Sequence, residues 1–227
     1  MISVIIWCGS MQSMLDATLK TWMNQVDVDY EIIIGYGPGI KIPVTDKRIT
    51  LVHTPDMNLC RAYNMLVEAA HGDILCITYC DMQINSNTQL KRMLDKWTPR
   101  VMVTDKVFRN GKRIEYPPVF FDMSMVSKEA IQKAGGWCEL FVGPDVWGHE
   151  DGDLVATMLE QGMTFEFIET PDEEAVYHIT HPSPNLNDPA IKARMNKGKE
   201  IFHSRHPEGI MALYAKQLLG RSRTFKL

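Results

Sequence analysis

Apolar runs and helical repeats alternate along the first 105 residues. Ile2 to Cys8 is a β-branched run, and Glu31 to Gly35 holds another in Ile32-Ile33-Ile34. Between them Met11, Leu15, Leu19 and Trp22 recur at helical spacing. Arg48 to His53 reads as a short alternating strand. Asn58 is a natural N-cap for a helix carrying Ala62, Leu66 and Ala69 and closed by Gly72. Ile74 to Tyr79 is a continuous apolar strand of the kind a parallel sheet buries on both faces, and Ser86 to Trp97 is helical, with Leu90, Met93, Leu94 and Trp97 on one side. This βαβ rhythm predicts an α/β fold: a Rossmann-like, mixed but mostly parallel sheet flanked by helices, with ligands at the carboxyl ends of its strands.

Beyond residue 105 the pattern changes. Val101 to Phe108 and Arg113 to Phe121 flank Asn110-Gly111, a hairpin signal. Ser127 to Ala134 reads as a short helix stopped by Gly135-Gly136. After a loop rich in Trp, Gly and Asp, a helix runs from about Asp151 to Gln161, ended by Gly162. Thr164 to Ile168 and Ala175 to Thr180 read as strands. Pro189 and Pro207 sit where helices would start, and Gly220 where the last would stop. The expected organisation is a body over 1–185, divided at 105/106, and a helical extension over 186–227.

Charge sharpens that division. Residues 1–191 carry 15 Lys/Arg against 26 Asp/Glu, whereas residues 192–227 carry nine against two. A basic end on an acidic body suits an anionic partner, such as a diphosphate or a nucleic acid, or else packing against the body itself. Lys192, Arg194, Lys197 and Lys199 fall on the helix expected from Pro189, with Ile191, Met195 and Phe202 facing the body; Arg221, Arg223 and Lys226 are expected beyond the last helix. No apolar run is long enough to span a bilayer, and Met1 to Gly9 lacks the basic leader of a secretion signal. Five cysteines without C-x-x-C spacing suit reduced thiols and a cytoplasmic location.

Candidate chemistry is concentrated in three places. Asp81 ends the buried apolar strand, where a carboxylate would hold a hard divalent cation next to phosphate oxygens or cap the following helix. Trp147-Gly148-His149-Glu150-Asp151-Gly152-Asp153 gathers ionisable side chains at a loop-to-helix junction, suited to a general base, a sugar-hydroxyl binder or simple helix capping. His178 and His181, at i and i+3 on a strand end, are metal-ligand candidates or merely hydrogen-bonded. No P-loop, nucleophile elbow or G-x-G-x-x-G is present, and no Gly-rich basic loop of a nucleotidyltransferase follows the first strand.

The order of these pieces resembles the GT-A nucleotide-sugar glycosyltransferases, particularly the family 2 and galactosyltransferase-like branches, from Ser3 to about His181. Ser3-Val4-Ile5-Ile6 resembles the opening strand, and Asp29 to Ile34 the second. Arg61-Ala62-Tyr63-Asn64 and Ala70 to Leu75 are similar to the donor-side helix and the strand leading to the metal motif. Gly135-Gly136-Trp137 through Glu150-Asp151-Gly152-Asp153-Leu154 resembles the acceptor-side segment with its Glu-Asp pair. The resemblance implies a GT-A fold, a nucleotide-diphosphate sugar donor and Mn2+ or Mg2+. It implies a donor-nucleotide half over 1–105 and an acceptor half over 106–185. In it, Asp81 and His178 would hold the metal; Arg61, Asn64 and Asp81 would bind donor; Trp147, His149 and Glu150 would bind acceptor. If transfer inverts, Asp151 would be the catalytic base with Glu150 orienting the acceptor, and if it retains, these two would bind acceptor or donor sugar instead. The chain departs from the family twice. Tyr79-Cys80-Asp81 stands where D-x-D is usual, and Gly35-Tyr36-Gly37 replaces an acidic pair that helps read the nucleoside. The acceptor stays open among saccharide, protein, small molecule and a hydroxylated base in viral DNA. The alternative expectation is a noncatalytic nucleotide- or glycan-binding module on the same scaffold.

Overall fold

The Ile2–Trp7 run has one polar member, Ser3, and all six residues are buried; it forms strand β1 at the heart of a sheet. A computed structural model describes residues 1–9, 11–43, 46–105, 107–113, 121–168, 170–181 and 185–224. In chain order β1 is followed by α1 (Gln12–Trp22), β2 (Tyr30–Tyr36), β3 (Ile49–His53), α2 (Leu59–Ala69), β4 (Ile74–Tyr79), β5 (Met82–Ile84), α3 (Gln89–Lys96) and β6 (Val101–Asp105). Then come β7 (Val107–Arg109), β8 (Lys112–Arg113), β9 (Met123–Ser127), α4 (Lys128–Ala134), α5 (Glu150–Glu160), β10 (Thr164–Ile168), β11 (Val176–His178), α6 (Pro189–Arg205) and α7 (Ile210–Thr224). Single 3-10 turns lie at Glu139–Phe141 and Asp172–Glu174.

Seven strands make one sheet in the order β10-β6-β9-β4-β1-β2-β3, and β5-β11-β7-β8 make a smaller one. Within the large sheet only β9 runs antiparallel to its neighbours β4 and β6. Successive residues of β1 point to opposite faces. Ile5 joins a core with Tyr63 and Leu66 of α2, Trp137, and Leu154 of α5. Ile6 joins another with Leu15 and Trp22 of α1 and Leu90 and Met93 of α3. The α/β class, the parallel sheet and the flanking helices are those the pattern predicts. The expected Asn58 cap is present: its side chain accepts from the Arg61 N–H at 3.0 Å.

Several expected boundaries are corrected. The third helix begins at Gln89 because Ser86 and Thr88 form a hydroxyl-bridged turn (3.0 Å) ahead of it. The stretch 101–108 divides between the two sheets, and the Asn110-Gly111 hairpin joins only β7 to β8. Residues 114–120 of the expected second hairpin arm lie outside the described residues. β9 had no strand signal distinct from the helix after it, yet it is the strand that joins β4 to β6. The strand expected over 175–180 is shorter, Val176–His178. The last helix starts at Ile210, not at Pro207, and continues through Gly220 to Thr224, so Arg221 and Arg223 belong to it; Lys226 lies outside the described residues. No helix among the described residues is long and apolar enough to cross a membrane.

Candidate active site

β4 delivers Asp81 just past its carboxyl end, and β11 delivers His178 and, three residues on, His181. Ladder pairing of β11 with β5 sets His178 opposite Met82, and the Ile179 N–H donates to the Asp81 carbonyl at 2.7 Å. Both imidazoles converge on one oxygen: Nε2 of His178 lies 3.1 Å and Nε2 of His181 3.0 Å from Asp81 Oδ2. Asp81 is 5% exposed, and its other oxygen, Oδ1, is buried without a hydrogen-bond partner among the described residues. Burial alone would raise this carboxyl; hydrogen bonds from both histidines and the field of His178 outweigh it and hold the group below its ordinary range. The three donor atoms lie within 4.8 Å of one another, about twice a metal–ligand distance of roughly 2.0–2.6 Å. One oxygen and two imidazole nitrogens form a mixed donor set able to hold a divalent cation, more readily Mn2+ than Mg2+, and the orphaned Oδ1 leaves a further lone pair for it. His181 is the member of this cluster that sequence reasoning left undecided; its i+3 spacing from His178 was the available signal.

The acidic junction opens α5. Successive helical residues are 100° apart, so its three carboxylates diverge. Asp151 turns inward, is 4% exposed, and accepts from Tyr79 Oη at 2.7 Å and Trp137 Nε1 at 2.9 Å. Burial raises its pKa against these hydrogen bonds. Glu150 carries a buried Oε2 with no partner among the described residues; burial and the neighbouring Asp151 push it up to about 7. Asp153 turns the other way, to the C-terminal helices. There Arg205 Nε at 2.5 Å and His206 Nε2 at 2.9 Å share its Oδ1, while His206 Nδ1 meets Glu160 Oε1 at 2.9 Å.

Tyr79 therefore links the two centres, because it ends β4 two residues before Asp81. Asp122, which sequence reasoning missed, lies opposite Tyr79: the β4–β9 ladder pairs Thr78 with Met123, and Thr78 Oγ1 donates to the Asp122 carbonyl at 2.9 Å. Arg109 at the end of β7 donates to Asp122 Oδ1 at 2.6 Å.

The remaining expected residues lie around this centre. Asn64 uses both ends of its amide on the backbone of Trp137, at 2.9 Å each. Gly136 must be glycine there (φ +72°), since a Cβ would run into Asn64 Oδ1. Arg61 pairs with Asp56 and with Glu139. His149, in left-handed conformation (φ 75°), packs its ring on Phe202 of α6, with ring centroids 5.8 Å apart. The Trp147 N–H donates to the Arg194 carbonyl at 3.3 Å, and Arg194 reaches the Gly143 carbonyl at 3.0 Å. α6 thus backs the 143–149 loop. Of the basic residues near the end, Arg205 is committed to the body, while Lys192, Lys197 and Lys199 are exposed.

Residues 105–182 match a family model described as the N-terminal domain of galactosyltransferase. Among solved structures the chain is similar to a mannosyltransferase from Pyrobaculum calidifontis in complex with GDP-Man and Mn2+, with 16% identity and a TM-score of 0.55. The similarity covers 96% of this chain and 64% of that one, so the chain spans less than two thirds of its structural relative. No curated protein matches the chain.

Proposed function

On a GT-A glycosyltransferase fold, we propose that this chain transfers a sugar from a nucleotide-diphosphate donor to an acceptor hydroxyl, with a divalent cation at Asp81, His178 and His181. The observation that carries the reading is the convergence of two imidazoles on a buried, half-satisfied carboxylate at a strand's carboxyl end. It lies in the position where the fold binds ligands. A cation bound there supplies positive charge to the departing diphosphate. Between Mn2+ and Mg2+, the two imidazoles favour Mn2+.

The chain's own groups do the rest. Trp147 and His149 are proposed to bind acceptor from a loop held by α6. Arg61 and Asn64 act on the donor side through the structure they fix: Arg61 at the start of α2, Asn64 by locking the Gly136-Trp137 turn. The base is proposed to be Asp151, with Glu150 orienting the acceptor. A second reading exchanges these roles. Both Asp151 oxygens already accept hydrogen bonds, whereas Glu150 Oε2 has no partner and a pKa near neutrality, which suits proton acceptance. The acceptor class is proposed no more narrowly than a hydroxyl compound; a hydroxylated DNA base is one member, and the exposed Lys192, Lys197 and Lys199 would supply positive charge for it.

The test is a thermal-shift screen of UDP-, GDP-, dTDP- and CDP-sugars with and without Mn2+, followed by donor hydrolysis in water. Mn2+-dependent stabilisation with slow hydrolysis supports a transferase. Tight Mn2+-dependent binding with neither hydrolysis nor transfer across an acceptor panel would establish the noncatalytic module instead.

A further inference from the structure

Between the cation-binding end and the carboxylate pair, the fold inserts one further ion pair. Arg109 ends β7, and the β7–β11 register, which pairs Phe108 with Tyr177, places it beside His178. Asp122 precedes β9 and lies opposite Tyr79. The Arg109–Asp122 contact at 2.6 Å therefore ties the small sheet to the large one at the point where both reach the site. Asp122 lies within electrostatic reach of Asp81 and His178 on one side and of Asp151 on the other. Its side chain is 14% exposed, so it is accessible but largely desolvated. Among the described residues its Oδ1 takes the arginine and its Oδ2 has no hydrogen-bond partner.

A carboxylate with one oxygen fixed and one available accepts hydrogen bonds from sugar hydroxyls, and the guanidinium on its first oxygen holds it in place. A sugar whose diphosphate lies on Asp81 and whose anomeric carbon faces the Glu150–Asp151 pair must pass this point. We infer that Asp122, held by Arg109, reads hydroxyls of the transferred sugar and thereby determines which donor is accepted. The inference rests on the transferase reading above. A site built to hydrogen-bond a hydroxyl rejects an analogue lacking it far more strongly than an apolar pocket distinguishes shape. The specificity is therefore expected to be for hydroxyl configuration.

The experiment measures binding of each nucleotide sugar and of its parent nucleoside diphosphate, both with Mn2+, to the full chain and to Asp122→Asn. In the wild type the preferred nucleotide sugar should bind more tightly than the parent diphosphate. Asp122→Asn should lose at least tenfold of affinity for that sugar donor and flatten the preference among epimeric sugars. Its affinity for the nucleoside diphosphate should stay within about twofold of wild type. A purely structural ion pair would lower the melting temperature and leave the ratio of sugar-donor to diphosphate affinity intact; that result overturns the inference. If Asp122→Asn does not fold, Asp122→Glu and Arg109→Lys are read by the same ratio. A wild-type chain that binds the nucleoside diphosphate with Mn2+ but gains nothing from any sugar overturns the sugar-reading role alone. One that binds neither overturns the transferase reading with it.

Discussion

The Tyr79 hydroxyl donates to Oδ2 of Asp151 across 72 residues of sequence at 2.7 Å. Tyr79 occupies the place where the D-x-D pattern has its first acid. In this chain that place is filled by a phenol that orients the α5 carboxylate, leaving Asp81 with two histidines as the proposed cation site. Tyr79→Phe should leave Mn2+ binding by Asp81 intact and remove one of the two side-chain donors to Asp151. A hydrogen bond to an ionised group contributes roughly 1.5–3 kcal/mol, so a loss of about that size in chemical denaturation is expected, together with a fall in transfer rate.

Removal of the cation site is the second prediction. Asp81→Ala should abolish Mn2+-dependent donor binding. His178→Ala and His181→Ala should each weaken it by at least roughly one to two orders of magnitude, the cost of losing even a group that only supports a ligand. Calorimetric titration of Mn2+ in the presence of the nucleoside diphosphate decides it. A His181→Ala chain that titrates like wild type would leave only the Asp81–His178 pair.

The carboxylate pair makes a pH prediction with a definite sign. Glu150 is raised from an ordinary value of 4.5 to about 7 by burial and by Asp151. The folded chain therefore holds this proton more tightly than the unfolded one, and stability falls as pH rises from about 4.5 through 7. Glu150→Gln should remove that decline: relative to wild type it should gain roughly 2–3 kcal/mol at pH 8 and almost nothing at pH 4. Melting temperature against pH measures it.

Transfer rate separates the two base assignments. Asp151→Asn should eliminate transfer and keep donor binding if Asp151 is the base. If Glu150 is the base, Glu150→Gln should abolish the rise of kcat/KM through pH 7, while Asp151→Asn should retain that rise but shift it to lower pH, because the charge that raises Glu150 is gone.

Gly198 tests the support of the acceptor loop. A Cβ there would lie 2.8 Å from the Gly148 carbonyl oxygen and 3.0 Å from that of Trp147, both backbone atoms that cannot swing aside. Gly198→Ala should push α6 off the 143–149 loop at an overpacking cost of about 1–3 kcal/mol. The acceptor KM should rise, with little change in donor affinity.

Much of this was legible because the two periodicities differ so clearly in the first half. Ile32-Ile33-Ile34 and Ile74 to Tyr79 can hardly be anything but buried strands, and Asn58 marks its helix start by a side chain that caps. Asp81 was legible from its position at a strand end. What the sequence concealed was long-range. Met123-Ser124-Met125 has no β-branched signal and runs straight into the Ser127 cap, so β9 is identifiable only by its neighbours β4 and β6. Asp122 went with it, since nothing local marks an acid that meets Arg109 and Tyr79 only through strand pairing. Gly220 failed as a stop signal for a related reason: a glycine within a helix costs only about 1 kcal/mol, which the remainder of α7 overcomes.

The Asp81–His181 contact joins residues one hundred positions apart. At a synthesis rate of about 5–20 residues per second, Asp81 is polymerised roughly 5–20 s before its second histidine exists. During that interval β1, β2 and β4 can pair, yet the carboxylate at their edge has neither of its imidazoles and a nascent chain offers the cation no cage. Closing a loop of that length is a slow, late event in a fold dominated by distant pairings. The ion would then bind only chains that have finished, pulling them toward the native state by mass action, so metal supply during synthesis should govern how much folded protein accumulates.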